Sequence, residues 1–149
     1  MAITSGVYPV YENQFKIDTK GGDGTESNLV TIADMENFSV AIDGNVEEWK
    51  PMDQAGWTRR LATGKSITIS VSGKRNVGDK GNDYVNSLAL KTGSEATTTL
   101  VWTFPSGSKL TLTGVVSVTE WGAGDSTAVA PLAFDIMSDG KPVFTEATA

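Results

Sequence analysis

Apolar and polar residues alternate along most of this chain. From Tyr11 to Thr19, Tyr11, Phe15 and Ile17 fall on one side while Glu12, Gln14, Lys16 and Asp18 fall on the other, a period of two that predicts a half-buried strand. Leu29 to Ile32 opens a second strand region. Phe38, Val40 and Ile42 then alternate with Ser39, Ala41 and Asp43 as far as Asp43-Gly44, a dipeptide that favours tight turns, so Val46 to Met52 is expected to return as the second arm of a hairpin. Trp57 to Leu61 alternates again, and in the next stretch Ile67, Ile69 and Val71 face away from Ser66, Thr68, Ser70 and Ser72. That strand has a strongly hydroxylated face.

Further on, Thr97 to Phe104 and Lys109 to Thr119 read as strands joined by Pro105-Ser106-Gly107, and Leu132, Phe134 and Ile136 mark one more before Asp139-Gly140. The closing Pro142-Val143-Phe144 is expected to pair back or to cover an edge. Only GNDYVNSLALKTG departs from the period of two. Val85, Leu88 and Ala89 recur there at helical spacing, Asn82 or Asp83 can cap the start, and Gly93 is placed to end the helix. Lys20 to Asn28 is rich in glycine and polar residues and holds no apolar anchor, so it is expected to be a flexible loop. The sum is a mainly β chain: an antiparallel β-sandwich or flattened barrel with one short flanking α-helix, built as a single domain over residues 1–149. No self-similarity at solenoid spacing and no heptad is present.

Composition narrows the chemistry. There is no cysteine and no histidine, which excludes disulfides and thiolate metal sites and removes the commonest general base and zinc ligand. The adjacent Glu47 and Glu48 would point to opposite faces of a strand and cannot converge on one bond. Asp79-Lys80-Gly81-Asn82-Asp83 lacks the acid spacing and closing Glu of an EF-hand, no phosphate loop occurs, and no serine has a histidine to activate it. The pattern therefore predicts neither an enzyme nor a cofactor. The first residues, MAITSGVYPVYENQF, carry neither a basic leader nor an apolar run, so neither a signal peptide nor a membrane span is expected, and no membrane binding.

Charge and tryptophan complete the picture. The net charge is -6, with nine acids and three bases in residues 1–50, four and seven in 51–100, and five and two in 101–149. An acidic chain is ill suited to gripping a phosphate backbone, but acidic and basic regions of neighbouring copies can meet in an assembly. Trp102 sits in the alternating row Leu100, Trp102, Phe104 and reads as core, whereas Trp49 and Trp57 flank a turn among charges, where they suit a subunit contact together with Arg59 and Arg60.

The order of VYENQFKIDT, then TIADMENFSVAIDGNVEEWKPMDQAGWTRRLATGKSITISVSGKRN, then GNDYVNSLAL and the late DIMSDGKP, resembles the major tail tube proteins of long, non-contractile-tailed bacteriophages over nearly the whole chain. The resemblance implies a β-sandwich subunit that forms hexameric rings, stacked into a hollow tail through which the tape-measure protein and later the genome pass. It also implies tail terminator and tail-tip proteins as partners, only transient contact with genomic DNA, and a place in the virion after synthesis in the host cytoplasm. A contractile-type inner tube shares the same subunit logic.

On that resemblance the pair Phe38 to Met52 and the strand Gly64 to Lys74 would wall the channel, with Ser39, Asp43, Glu47, Ser66, Thr68, Ser70 and Ser72 as candidate lumen-facing residues. The alternative reading is a carbohydrate-binding β-sandwich module of a virion or cell surface, with exposed tryptophans stacking on sugar rings.

Overall fold

The computed structural model describes residues 3–20 and 28–147, so most of the expected loop at Lys20 to Asn28 lies outside the described residues. Eight strands form one antiparallel sheet: β1 (Gln14–Asp18), β2 (Leu29–Thr31), β3 (Met35–Trp49), β4 (Arg59–Lys74), β5 (Thr97–Thr103), β6 (Lys109–Trp121), β7 (Pro131–Ser138) and β8 (Val143–Thr145). Their order is β2-β1-β5-β6-β7-β4-β3, with β8 pairing β6 beyond the end of β7. The sheet does not close; it curls so that its two halves face each other. Phe15 of β1 meets Phe38 of β3 edge-on at 4.8 Å between ring centres, and Trp102 of β5 packs against both. The result is the mainly β, flattened-barrel architecture that the alternation predicts, with one helix, α1 (Lys80–Ser87).

Alternation dictates the core. Ile69 and Val71 of β4, Leu100 of β5, Leu112 and Val116 of β6, and Leu132, Phe134 and Ile136 of β7 all point to the inner face and are buried. Pairing Phe134 with Val71 and Val118, and Ile136 with Ile69 and Val116, stacks this interior in register across three strands.

Several boundaries differ from the sequence expectation. The hairpin does not turn at Asp43-Gly44: β3 runs straight through it, with Asp43 opposite Ser66 and Gly44 opposite Lys65. Thus Val46 to Met52 is no returning strand, and Trp57 to Leu61 leads into the same strand as Ile67 to Val71. The real turn spans residues 50–58, where Ala55 and Gly56 take φ of 51° and 88°. At the start of the chain, Val10–Glu12 forms a 3-10 turn and β1 begins only at Gln14, leaving Tyr11 exposed rather than inward.

The helix is capped by Asp79 instead of Asn82 or Asp83: the Asp79 carboxylate accepts from the Asn82 N–H at 3.0 Å and from the Ala33 N–H at 3.1 Å. The helix stops at Ser87, and Gly93 opens a 3-10 turn, Gly93–Ala96, instead of ending it. Asn82, freed from capping, is fully buried and ties α1 to two neighbouring turns. Arg75 beside it also pairs with Asp83 at 2.7 Å; that hydrogen bond lowers the Asp83 carboxyl below its ordinary pKa, against the opposing effect of desolvation.

Gly114 sits where β6 passes from β8 to β7 and is packed without space for a side chain. A Cβ there would lie 2.1 Å from the Met137 carbonyl oxygen and 3.2 Å from Ile136 Cγ1. Gly114→Ala is therefore expected to cost about 2 kcal/mol, because strand backbone must move apart. Urea unfolding followed by tryptophan fluorescence checks this, and an unchanged midpoint would mean that the two strands slide at no cost.

Candidate assembly surfaces

The polar face of the β3–β4 pair is built by register. Because Phe38, Val40 and Ile42 lie opposite Val71, Ile69 and Ile67 on the inner face, the intervening residues share the outer one. Ser39 stands opposite Ser70, Asp43 opposite Ser66, while Thr68 faces Ala41 and Ser72 faces Asn37. The extra residue at the irregularity after Asn45 falls on β4, so β3 keeps its parity and Glu47 stays on the Asp43 side; Asn45 Nδ2 reaches Glu47 Oε1 at 3.4 Å along that face. All seven residues singled out from the sequence thus occupy one surface.

The sheet extends this surface further than the sequence reading did. Asp135 of β7 pairs with Ser70 and with Ser117 of β6, and Glu120 stands opposite Ala133, adding two acids and another hydroxyl to the same face. Their signal was present in the alternation of Val116, Ser117 and Val118 and of Phe134, Asp135 and Ile136. Only cross-strand pairing shows that these polar sets join that of β4.

Beyond Ile42 and Ile67 the β3–β4 hairpin leaves the body as an arm, exposed on both faces through Asp43–Trp49 and Arg59–Ser66. Trp49 and Arg59 face each other on the outer side, with the guanidinium 5.6 Å from the indole centre. Arg60 lies on the other side and pairs with Glu48 at 2.7 Å, both ends largely solvated, so the bridge orients the arm more than it stabilises it. Trp57 lies in the connecting turn and is 77 % exposed. The four candidate contact residues therefore share one projecting arm but not one face. β3 is also an edge of the sheet along its whole length, and an uncovered edge is a template for pairing with another chain.

Among the described residues no group of three or more Asp or Glu side chains is placed to hold a metal ion, and no helix is long and apolar enough to cross a membrane. A shallow polar depression of about 310 Å³ runs over Ser39, Ser70, Ser72 and Asp135, and an apolar groove of about 590 Å³ opens beside Ile42 and Phe144. The described residues thus form a curled sheet with a polar outer face, a projecting arm and one capping helix.

That arrangement is a fold shared with proteins of solved tail and tube-cap structures. The chain is similar to a protein of the tail of an empty gene transfer agent (GTA) particle refined with helical and C6 symmetry, at a TM-score of 0.71 and 17% identity, covering 93% of this chain and 99% of that one. A protein of the native GTA virion gives a TM-score of 0.69 at 17% identity, with the same coverages of 93% and 99%. The tube-terminating cap of an anti-feeding prophage gives 0.58 at 14% identity, covering 99% of this chain and 95% of that one. No protein-family model matches the chain, and no curated protein sequence does.

Proposed function

We propose that this chain is the repeating structural subunit of a phage-type tail tube, six copies forming a ring and rings stacking into the channel for genome delivery. The observation that carries this reading is the whole-chain likeness to a protein of a sixfold-symmetric tail, shared by a molecule with an uncovered edge strand and a projecting arm. A heterologous contact between copies closes into a ring, and a second such contact without closure makes a filament. The tape-measure protein, terminator and tail-tip proteins are then its partners, and the virion tail is its location. Negative-stain microscopy of the purified chain at high concentration tests the proposal: rings or tubes support it, and small particles under every condition, tail-tip proteins included, argue for a monomeric module such as a sugar binder.

Within that reading the outer face bearing Ser39, Ser70, Ser72, Asp43 and Glu47 lines the bore. Its hydroxyls and carboxylates offer DNA no cation to bind, and Arg59 on the same side is held over the Trp49 ring, so the genome passes with little sticking. The double variant Asp43→Lys with Glu47→Lys is expected to assemble into tubes and to slow DNA passage, most strongly at low salt. Ejection at the parent rate across salt concentrations would place this face on the outside of the tube.

A further inference from the structure

The interior is sealed at one end and open at the other. Val85 of α1 and Leu88, the residue that follows the helix, are buried against the core at the closed end. At the end that holds the β5–β6 turn, the two layers part into the apolar groove, with Ile42 and Ile67 on one wall and Leu110 and Phe144 on the other. Ile42 is 63 % and Phe144 53 % exposed, although Ile42 continues the inward row of Phe38 and Val40 and Phe144 stands opposite the buried Leu110. A contiguous uncovered apolar surface of this kind marks a contact site. Lys65 and Lys141 stand at its rim, no acidic residue lines it, and among the described residues neither lysine enters an ion pair.

The same end carries an element of complementary character. Residues 3–13 are fastened at both ends, the Ile3 N–H donating to the Pro105 carbonyl at 2.8 Å and Trp102 Nε1 donating to Asn13 Oδ1 at 2.9 Å. Between these ties Val7 is fully exposed, Val10 and Tyr11 are largely so and Tyr8 about half, and Val10 and Tyr11 border a depression over Phe15 and Phe38. Glu12 is the only charged side chain before Lys16. An apolar, acidic arm and an apolar, basic groove therefore coexist in one molecule. Within one chain the ring row Trp102, Phe104 and Phe144 stands between the root of the arm and the groove.

We propose that the Val7–Tyr11 arm of one copy docks in the Ile42–Phe144 groove of the next copy in the same ring, with Glu12 meeting the rim lysines. Arm and groove lie at the same end of the molecule, so copies standing side by side in one orientation present them at one level. Stacking would bring opposite ends together. The contact is heterologous, and repeated by a closing rotation it completes a ring. This inference rests on the ring-forming reading above.

The absence of native cysteine makes the test clean. Val7→Cys and Lys141→Cys single variants are mixed, assembled and treated with a short bis-maleimide. A cross-linked pair containing one of each variant is expected, and the double variant should give a ladder up to six copies on a denaturing gel. As a second readout, Glu12→Lys should raise the concentration needed for assembly at least tenfold, and Lys141→Glu in the same chain should restore it. Tubes that form without the mixed pair, or only an intramolecular link in the double variant, overturn the docking and leave the tube reading standing. A link obtained with Met52→Cys in place of Val7→Cys overturns it in favour of the hairpin tip. Failure of the parent chain to form rings at all removes the tube reading beneath it.

Discussion

Asn82→Leu is expected to lower the stability of the fold by about 3 to 4 kcal/mol, although the two side chains are similar in size and the site is fully buried. Oδ1 of Asn82 accepts from Arg75 Nη1 at 2.8 Å and from the Asn76 N–H at 3.0 Å, while Nδ2 donates to the Ala33 carbonyl at 3.1 Å and the Lys74 carbonyl at 2.9 Å. Leucine offers none of these bonds and keeps out the water that could replace them. Two carbonyls, one amide and one guanidinium would lose a partner together, and leaving such groups dry costs more than the bonds themselves contribute. Asn82→Asp separates geometry from polarity, since it keeps both accepted bonds but turns the donor into an acceptor facing two carbonyl oxygens. It is expected to be destabilising too, by less because Arg75 compensates. Chemical unfolding followed by tryptophan emission measures both, and a loss below 1 kcal/mol for Asn82→Leu would mean that the β2–β3 and β4–α1 turns hold their positions without this side chain.

That network explains why the closed end of the sandwich is well defined and difficult to see in the sequence. Asn82 was legible as a polar residue at the start of a helix, where local preference makes it a cap. In the folded chain Asp79 takes that place and Asn82 faces inward, satisfied by the backbone of residues 33, 74 and 76. Nothing local announces those partners. Similarly, Asp43-Gly44 is a strong turn signal by itself, but pairing with Ser66 and Lys65 holds it extended and moves the turn to residues 50–58. Long-range pairing outweighed the local signal.

What was legible came from parity. A period of two assigns each strand two faces whatever its ends, so Ser39, Asp43, Ser66, Ser70 and Ser72 fell on one surface even though the hairpin's turn was misplaced. The open groove could not be foreseen in this way. It depends on β8 joining β6 and on the sheet stopping short of closure, both set by strands far apart in sequence.

Cutting the arm back is expected to abolish tube growth while leaving the body folded. Replacing Asn45 to Gly64 by the dipeptide Asn-Gly joins Gly44 to Lys65, residues already opposite each other in the ladder, through a two-residue turn suited to antiparallel strands. The removed residues contribute nothing to the buried core: Val46, Trp49, Met52, Trp57 and Leu61 are exposed, and all of the core side chains lie elsewhere. The thermal midpoint should therefore stay within a few degrees of the parent, with the same near-ultraviolet signature from Trp102 and its ring neighbours. Assembly should differ sharply. An arm whose β3 side runs seven residues beyond the body, Asp43–Trp49, each adding about 3.3 Å of reach, extends on the order of 20 Å. That is far enough to lie along a second copy, and its exposed tryptophans and its Arg60–Glu48 pair suit a contact that forms only between copies. Light scattering of the shortened and parent chains at matched concentration gives the answer. Tubes of normal length from the shortened chain would show that stacking is carried by the body, and a collapsed melting transition would show that the arm supports the fold it projects from.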